Sequence, residues 1–108
     1  DTAMTADDRM AYTSICLIED DPIMGESLLD GFTLEGLSVD WHQSISAARQ
    51  ALTEKRYGLV ISDIRLPDGN GDQLFESLRK ESLQLPPFIF ITGYGDLNRA
   101  VELLKQGA

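Results

Sequence analysis

Carboxylates follow two apolar runs of the sequence, and their residue types and spacing indicate chemistry. The run SICLI is followed by Glu19, Asp20 and Asp21, and the run YGLVIS is followed by Asp63. Two unit charges about 4 Å apart repel by about 4 kcal/mol at an effective dielectric of about 20. If these carboxylates meet, they must therefore bind protons or a hard cation. Oxygen ligands on a rigid rim favour Mg²⁺ or Mn²⁺.

A divalent ion beside a carboxylate also prepares that carboxylate to attack phosphorus, because the ion neutralises and orients the phosphoryl oxygens. The stretch TGYGD, which follows the apolar run PPFIFI, adds the Thr92 hydroxyl and the Gly93 amide on the other side. Both groups are suited to hold phosphoryl oxygens. The pattern favours Asp63 as a nucleophile, whereas a lone Asp at the end of a strand is more commonly a turn cap.

The elements that must position these residues alternate along the chain. We predict strands over residues 14–18, 37–41, 57–62 and 86–92, each followed by a helix. The predicted helix caps are Asp21 (with Pro22 behind it), Ser44 and Asp96. Four βα repeats predict a doubly wound parallel α/β sheet, with its site at the carboxyl ends of the strands. Because the first and third strands are neighbours in such a sheet, Glu19, Asp20 and Asp63 should lie together.

Bulk properties restrict the class of protein. The 108 residues suffice for one domain, and a net charge of −9 disfavours contact with nucleic acid or an anionic membrane. No apolar run is long enough to span a membrane. The single cysteine, Cys16, lies within SICLI and is interpreted as a core residue, which favours a reducing, cytoplasmic setting. Residues 1–12 are expected to form a polar tail outside the core.

The motifs LIEDD, ISDIRLPDGNG and ITGYGDLNRAVELLKQGA together resemble the receiver domain of two-component response regulators. The spacings between Asp20, Asp63 and Thr92 agree with that family, and the resemblance extends over residues 13–108. It implies a flavodoxin-like fold. It also implies that Asp63 accepts a phosphoryl group from a histidine kinase, with Thr92 as the switch hydroxyl.

The same resemblance implies a Mg²⁺ (or Mn²⁺) site and a set of phosphate contacts. Asp20 and Asp63 would be direct metal ligands, and Glu19 would act through water. Arg65 would supply its carbonyl to the metal. Its side chain and Tyr94 would flank the phosphoryl group, which Thr92 and Gly93 would hold.

The TGYGD stretch is most similar to receivers at the N-terminus of transcription activators, and this similarity implies an output domain or DNA-binding region outside this chain. The resemblance also implies that the chain is not a turnover enzyme, and that it could catalyse its own phosphorylation and dephosphorylation. The family pattern continues past Ala108 into a fifth strand carrying a lysine and a fifth helix, and neither Lys55 nor Lys105 matches that lysine. We therefore expect a truncated receiver whose strand FIFI is an open edge, and hence a homodimer or an element-swapped dimer.

Other functions remain open at this point. A receiver-like module could bind protein partners without phosphorylation. A dehalogenase-type phosphatase would need an aspartate two positions after Asp63, but Arg65 occupies that position. A flavin mononucleotide site is disfavoured because the EDD loop would repel the phosphate of the flavin. Trp41 and His42 are interpreted as packing or surface residues, and residues 68–71 as a turn.

Overall fold

The computed structural model describes residues 14–81 and 85–91 of the chain. Its main sheet has four parallel strands, β1 (Ser14–Ile18), β2 (Ser38–His42), β3 (Leu59–Asp63) and β6 (Phe88–Ile91). They lie side by side in the order β2-β1-β3-β6. The helices are α1 (Pro22–Leu34), α2 (Ile45–Glu54) and α3 (Gly71–Glu81), and a two-stranded hairpin pairs β4 (Arg65–Leu66) with β5 (Gly69–Asn70). The doubly wound α/β fold is confirmed over these residues.

Two apolar layers enclose the sheet, as the continuous burial of β1 requires. Alternate residues of a strand point to opposite faces, so Ile15 and Leu17 pack with Leu28 and Phe32 of α1. On the other face lie Cys16, Ile18, Val60 and residues of α2 and α3: Ala48, Leu74 and Leu78. Cys16 is fully buried, and this burial raises the pKa of its thiol to about 12. The interpretation of Cys16 as a core residue is confirmed.

The helix boundaries follow local signals in the sequence. The amide of Ile23 donates to Asp21 Oδ1 at 3.0 Å, and Pro22 opens α1. The helix ends before Gly36, whose φ of 81° favours glycine. The amide of Ala47 donates to Ser44 Oγ at 3.2 Å at the start of α2. Both described caps are confirmed, whereas Asp96 and its helix lie outside the described residues.

Three predicted strands differ in their bounds. The second spans 38–42 rather than 37–41, and the third spans 59–63 rather than 57–62. The fourth begins at Phe88 rather than at residue 86, because Pro86 and Pro87 have no N–H to donate to a strand ladder. Tyr57 is buried, but strand pairing begins where Leu59 meets Ile15, and Gly58 only donates its amide to the Ser14 carbonyl at 2.9 Å. The third strand was therefore predicted to begin too early, because Tyr57 is apolar and buried but is not paired with β1. The predicted tail at 1–12 lies outside the described residues.

Candidate functional site

Three carboxylates meet at the carboxyl edge of the sheet. Glu19 and Asp20 directly follow β1, and Asp63 is the last residue of the neighbouring strand β3. One oxygen from each side chain lies within 4.8 Å of the others. Glu19 is only 5% exposed, Asp63 is half-buried and Asp20 is exposed. The structure thus brings together the three side chains that the sequence placed at one site.

The electrostatics of this cluster favour a bound positive charge. Burial of Asp63, together with a hydrogen bond and charge repulsion from Glu19 and repulsion from Asp20, raises the pKa of its carboxyl to about 8. Lys55 is engaged elsewhere, because its Nζ lies 2.8 Å from Asp40 Oδ2. The three carboxyl groups are therefore not all ionised together unless a cation binds between them.

The donor set fits a hard divalent cation. Three carboxylates supply only oxygen ligands, which Mg²⁺ and Mn²⁺ prefer over nitrogen or sulfur. One of these carboxylates is buried and held by its own loop, since the Asp21 amide donates to Glu19 Oε2 at 3.1 Å. Asp21 itself caps α1, as expected, and is not part of the cluster.

The end of β2 holds the acidic loop in place. The Glu19 amide donates to the His42 carbonyl at 3.0 Å, and Trp41 Nε1 donates to the Glu19 carbonyl at 2.8 Å. Trp41 packs against the core, in agreement with its interpretation from the sequence, but its bond to Glu19 was not predicted. The signal that could have revealed it is the parallel pairing of β1 and β2, which places Trp41 opposite Leu17, two residues before Glu19.

The start of α3 closes the other side of Asp63. A methyl group at Gly71 would overlap the Asp63 carbonyl oxygen and the hydroxyl of the fully buried Ser62. The Gly71 amide donates to the Ile64 carbonyl at 2.7 Å. Only glycine lets the helix begin this close to the tip of β3.

Asp68 has a role that its interpretation as a turn residue did not include. The predicted turn at 68–71 is correct only at Asp68, which lies between β4 and β5, because Gly69 and Asn70 form β5 and Gly71 begins α3. The Asp68 carboxylate also caps α2. The amides of Ile45 and Ser46 donate to Asp68 Oδ1 and Oδ2 at 2.8 and 3.1 Å, and these bonds lower the pKa of the carboxyl. No local sequence signal predicts a contact between residues so far apart in the chain.

The remaining predicted site residues lie beside the cluster or beyond the described part. Arg65 is exposed on β4, two positions after Asp63. Its carbonyl and side-chain roles stay predictions. Thr92, Gly93 and Tyr94 lie outside the described residues, so their roles also stay predictions. Ile91, which precedes Thr92 in the chain, pairs directly with Asp63.

Comparison with known proteins decides the family. A family model described as the response regulator receiver domain matches residues 15–108. The chain belongs to this family. The predicted resemblance is thereby confirmed, and receivers of this family bind Mg²⁺ in an acidic pocket and are generally not turnover enzymes.

Two relatives that match this receiver are transcriptional regulatory proteins. It is 33% identical over 99 residues to the transcriptional regulatory protein FixJ of Rhizobium meliloti, covering 92% of this chain and 48% of FixJ. It is 38% identical over 101 residues to the C4-dicarboxylate transport transcriptional regulatory protein DctD of Pseudomonas aeruginosa, covering 91% of this chain and 21% of DctD. The receiver thus spans about half of one relative and about a fifth of the other.

A solved structure with the same fold is the non-phosphorylated HemR receiver domain from Leptospira biflexa. The TM-score is 0.64 at 36% sequence identity, covering 83% of this chain and 74% of that one. In the described part of the receiver, none of the helices has the length and apolar character needed to cross a membrane.

Proposed function

We propose that this receiver is a phosphorylation switch, in which Asp63 accepts a phosphoryl group from a histidine kinase and thereby controls an output. The observation that carries the proposal is the cluster itself. A half-buried carboxylate at a strand tip lies within 4.8 Å of two more carboxylates, on the edge of the sheet where the sites of such folds lie.

Glu19, Asp20 and Asp63, with the Arg65 carbonyl, would hold Mg²⁺ or Mn²⁺. When bound, such an ion neutralises phosphoryl oxygens and favours the ionised form of nearby carboxyls. Among these ligands, Glu19 is buried, and both its backbone and its side chain are hydrogen-bonded.

In the proposed reaction, an oxygen of ionised Asp63 forms the new bond to phosphorus. The phosphorus–nitrogen bond of the kinase phosphohistidine breaks, and its electron pair returns to the imidazole. The Thr92 hydroxyl, the Gly93 amide and the Arg65 side chain would then contact the transferred group. Because the pKa of Asp63 is raised in the cluster, its ionised form must be favoured by a counter-charge before it can attack.

The output that we propose is transcription, through a domain outside this chain. FixJ and DctD, both transcription regulatory proteins, support this proposal, as does the fact that the receiver covers only part of each. A cytoplasmic location stays a prediction.

A homodimer along β6, which is an edge strand of the sheet as far as the residues are described, is a further proposal. Light scattering across a concentration series tests it, with a monomer at every concentration as the contrary result.

Intact mass measurement tests the phosphorylation directly. The chain is incubated with a small acyl phosphate and Mg²⁺, beside Asp63→Asn and the charge-matched control Asp30→Asn, which changes an exposed residue of α1. Wild type and Asp30→Asn should each gain one phosphoryl group. Asp63→Asn should gain none, and a chelator should abolish the gain in wild type and in Asp30→Asn.

A phosphoryl group on Asp63→Asn would contradict the assignment of the acceptor. No gain in wild type, repeated in a version extended through a fifth strand and helix, would instead favour the alternative of an interaction module that acts without phosphorylation.

A further inference from the structure

Trp41 makes a contact with the acidic loop that packing alone does not require. Its indole Nε1 donates to the Glu19 carbonyl at 2.8 Å, from a half-buried position on β2. The next residue, His42, accepts the Glu19 amide at 3.0 Å. The last two residues of β2 therefore satisfy both backbone groups of Glu19, a residue that is only 5% exposed.

The indole is also held from its other side by a close approach of α1. A methyl group at Gly25 would overlap three indole atoms of Trp41, namely Cζ2, Cε2 and the donor Nε1. A methyl group at Gly31, on the same helix, would meet nothing within 4 Å. The indole thus occupies the space that a side chain at position 25 would fill, and this close contact sets the position of the N–H that donates to Glu19.

We propose that Trp41, which packs against Gly25, is a positioning residue for the divalent-cation site. This inference rests on the proposed function, because it takes the cluster to be a cation site. The indole fixes the main chain of Glu19, and through it the placement of the Glu19 and Asp20 carboxylates relative to Asp63. Groups that orient metal ligands in this way commonly change metal affinity by about 10- to 100-fold when they are removed.

Trp41→Phe tests the role of the N–H, because it keeps an aromatic ring and removes the donor. Calorimetric titration with MgCl₂ at neutral pH should show Mg²⁺ affinity reduced about tenfold or more relative to wild type. Gly25→Ala, which keeps the tryptophan but displaces it, should weaken Mg²⁺ binding in the same direction. The matched control Gly31→Ala should bind Mg²⁺ like wild type.

The double variant Gly25→Ala/Trp41→Phe separates positioning from general damage. Phenylalanine has no counterpart of Cζ2, the indole atom nearest to a methyl group at position 25, so Gly25→Ala should cost less Mg²⁺ affinity in the Trp41→Phe background than in wild type. The loss of Mg²⁺ affinity in the double variant should therefore be smaller than the sum of the two single losses. Fully additive losses would contradict the contact between Gly25 and the indole.

The chain contains one tryptophan, so wild type provides a readout that needs no variant. Trp41 emission should change on Mg²⁺ titration, with the same midpoint as the calorimetric curve, and should not change in Asp63→Asn. Constant emission of wild type through saturation would count against the inference, as would Trp41→Phe and Gly25→Ala binding Mg²⁺ with wild-type affinity. The absence of any Mg²⁺ binding by wild type would overturn the proposed function together with this inference.

Discussion

Gly71 lies against Asp63 so closely that a single added methyl group would overlap the Asp63 carbonyl oxygen. The first residue of α3 thus touches the last residue of β3, although the β4–β5 hairpin separates them in the chain. The position of Asp63 depends on how α3 packs on the sheet, and not only on the strand that carries it.

Gly71→Ala should destabilise the domain and disturb the site. Forcing extra volume into a close-packed contact costs about 1–3 kcal/mol, so the free energy of unfolding by urea should fall by about that amount, and Mg²⁺ binding should weaken. Gly31→Ala is the control, since open space at that helical position should leave stability unchanged or raise it by up to about 1 kcal/mol. Equal stability of the two variants would contradict the close contact.

The carboxylate cluster should make stability depend on pH when divalent ions are removed. The folded pKa of Asp63, about 8, lies above the value of about 3.9 expected in the unfolded chain. Between those values the unfolded state loses this proton while the folded state keeps it, so the Asp63 contribution should lower stability as pH rises.

Urea unfolding in the presence of a chelator, at a series of pH values, measures this effect. Asp63→Asn should be more stable than wild type near neutral pH, and the difference should vanish as pH falls below about 4. Addition of Mg²⁺ should stabilise wild type more than Asp63→Asn. A difference that does not vary with pH would show that Asp63 does not titrate in this way.

Removal of the Asp68 carboxylate should weaken the start of α2. Asp68→Ala leaves the amides of Ile45 and Ser46 without their carboxylate acceptor, so the urea midpoint at neutral pH should fall relative to wild type. The pKa of Asp68 is lowered in the folded state, so its contribution is present above the unfolded pKa and is lost as pH falls through the folded one. The stability gap should therefore narrow in acid, whereas Asp30→Ala, an exposed control on α1, should show no such gap.

Local patterns were sufficient to predict much of the fold and the acidic cluster. The burial of β1 and the caps at Asp21 and Ser44 could be predicted because they depend on residues close together in the chain. The acidic cluster could be predicted because the carboxyl ends of neighbouring parallel strands meet at one edge of the sheet. The contacts of Trp41 with Glu19 and of Asp68 with Ile45 join residues more than twenty positions apart. They depend on how loops and helices pack against the sheet, and the hydrophobic periodicity of the sequence does not predict this packing.

Calorimetric titration of Mg²⁺ into Asp20→Asn and Asp21→Asn tests the central claim, that Glu19, Asp20 and Asp63 form one divalent-cation site. The two variants remove the same charge from adjacent residues, and asparagine at position 21 can still cap α1. At an effective dielectric of about 20, a ligand charge beside the ion contributes several kcal/mol, so Asp20→Asn should weaken binding by at least about tenfold. Asp21→Asn should bind Mg²⁺ nearly like wild type. Equal Mg²⁺ affinities of wild type, Asp20→Asn and Asp21→Asn would contradict the account.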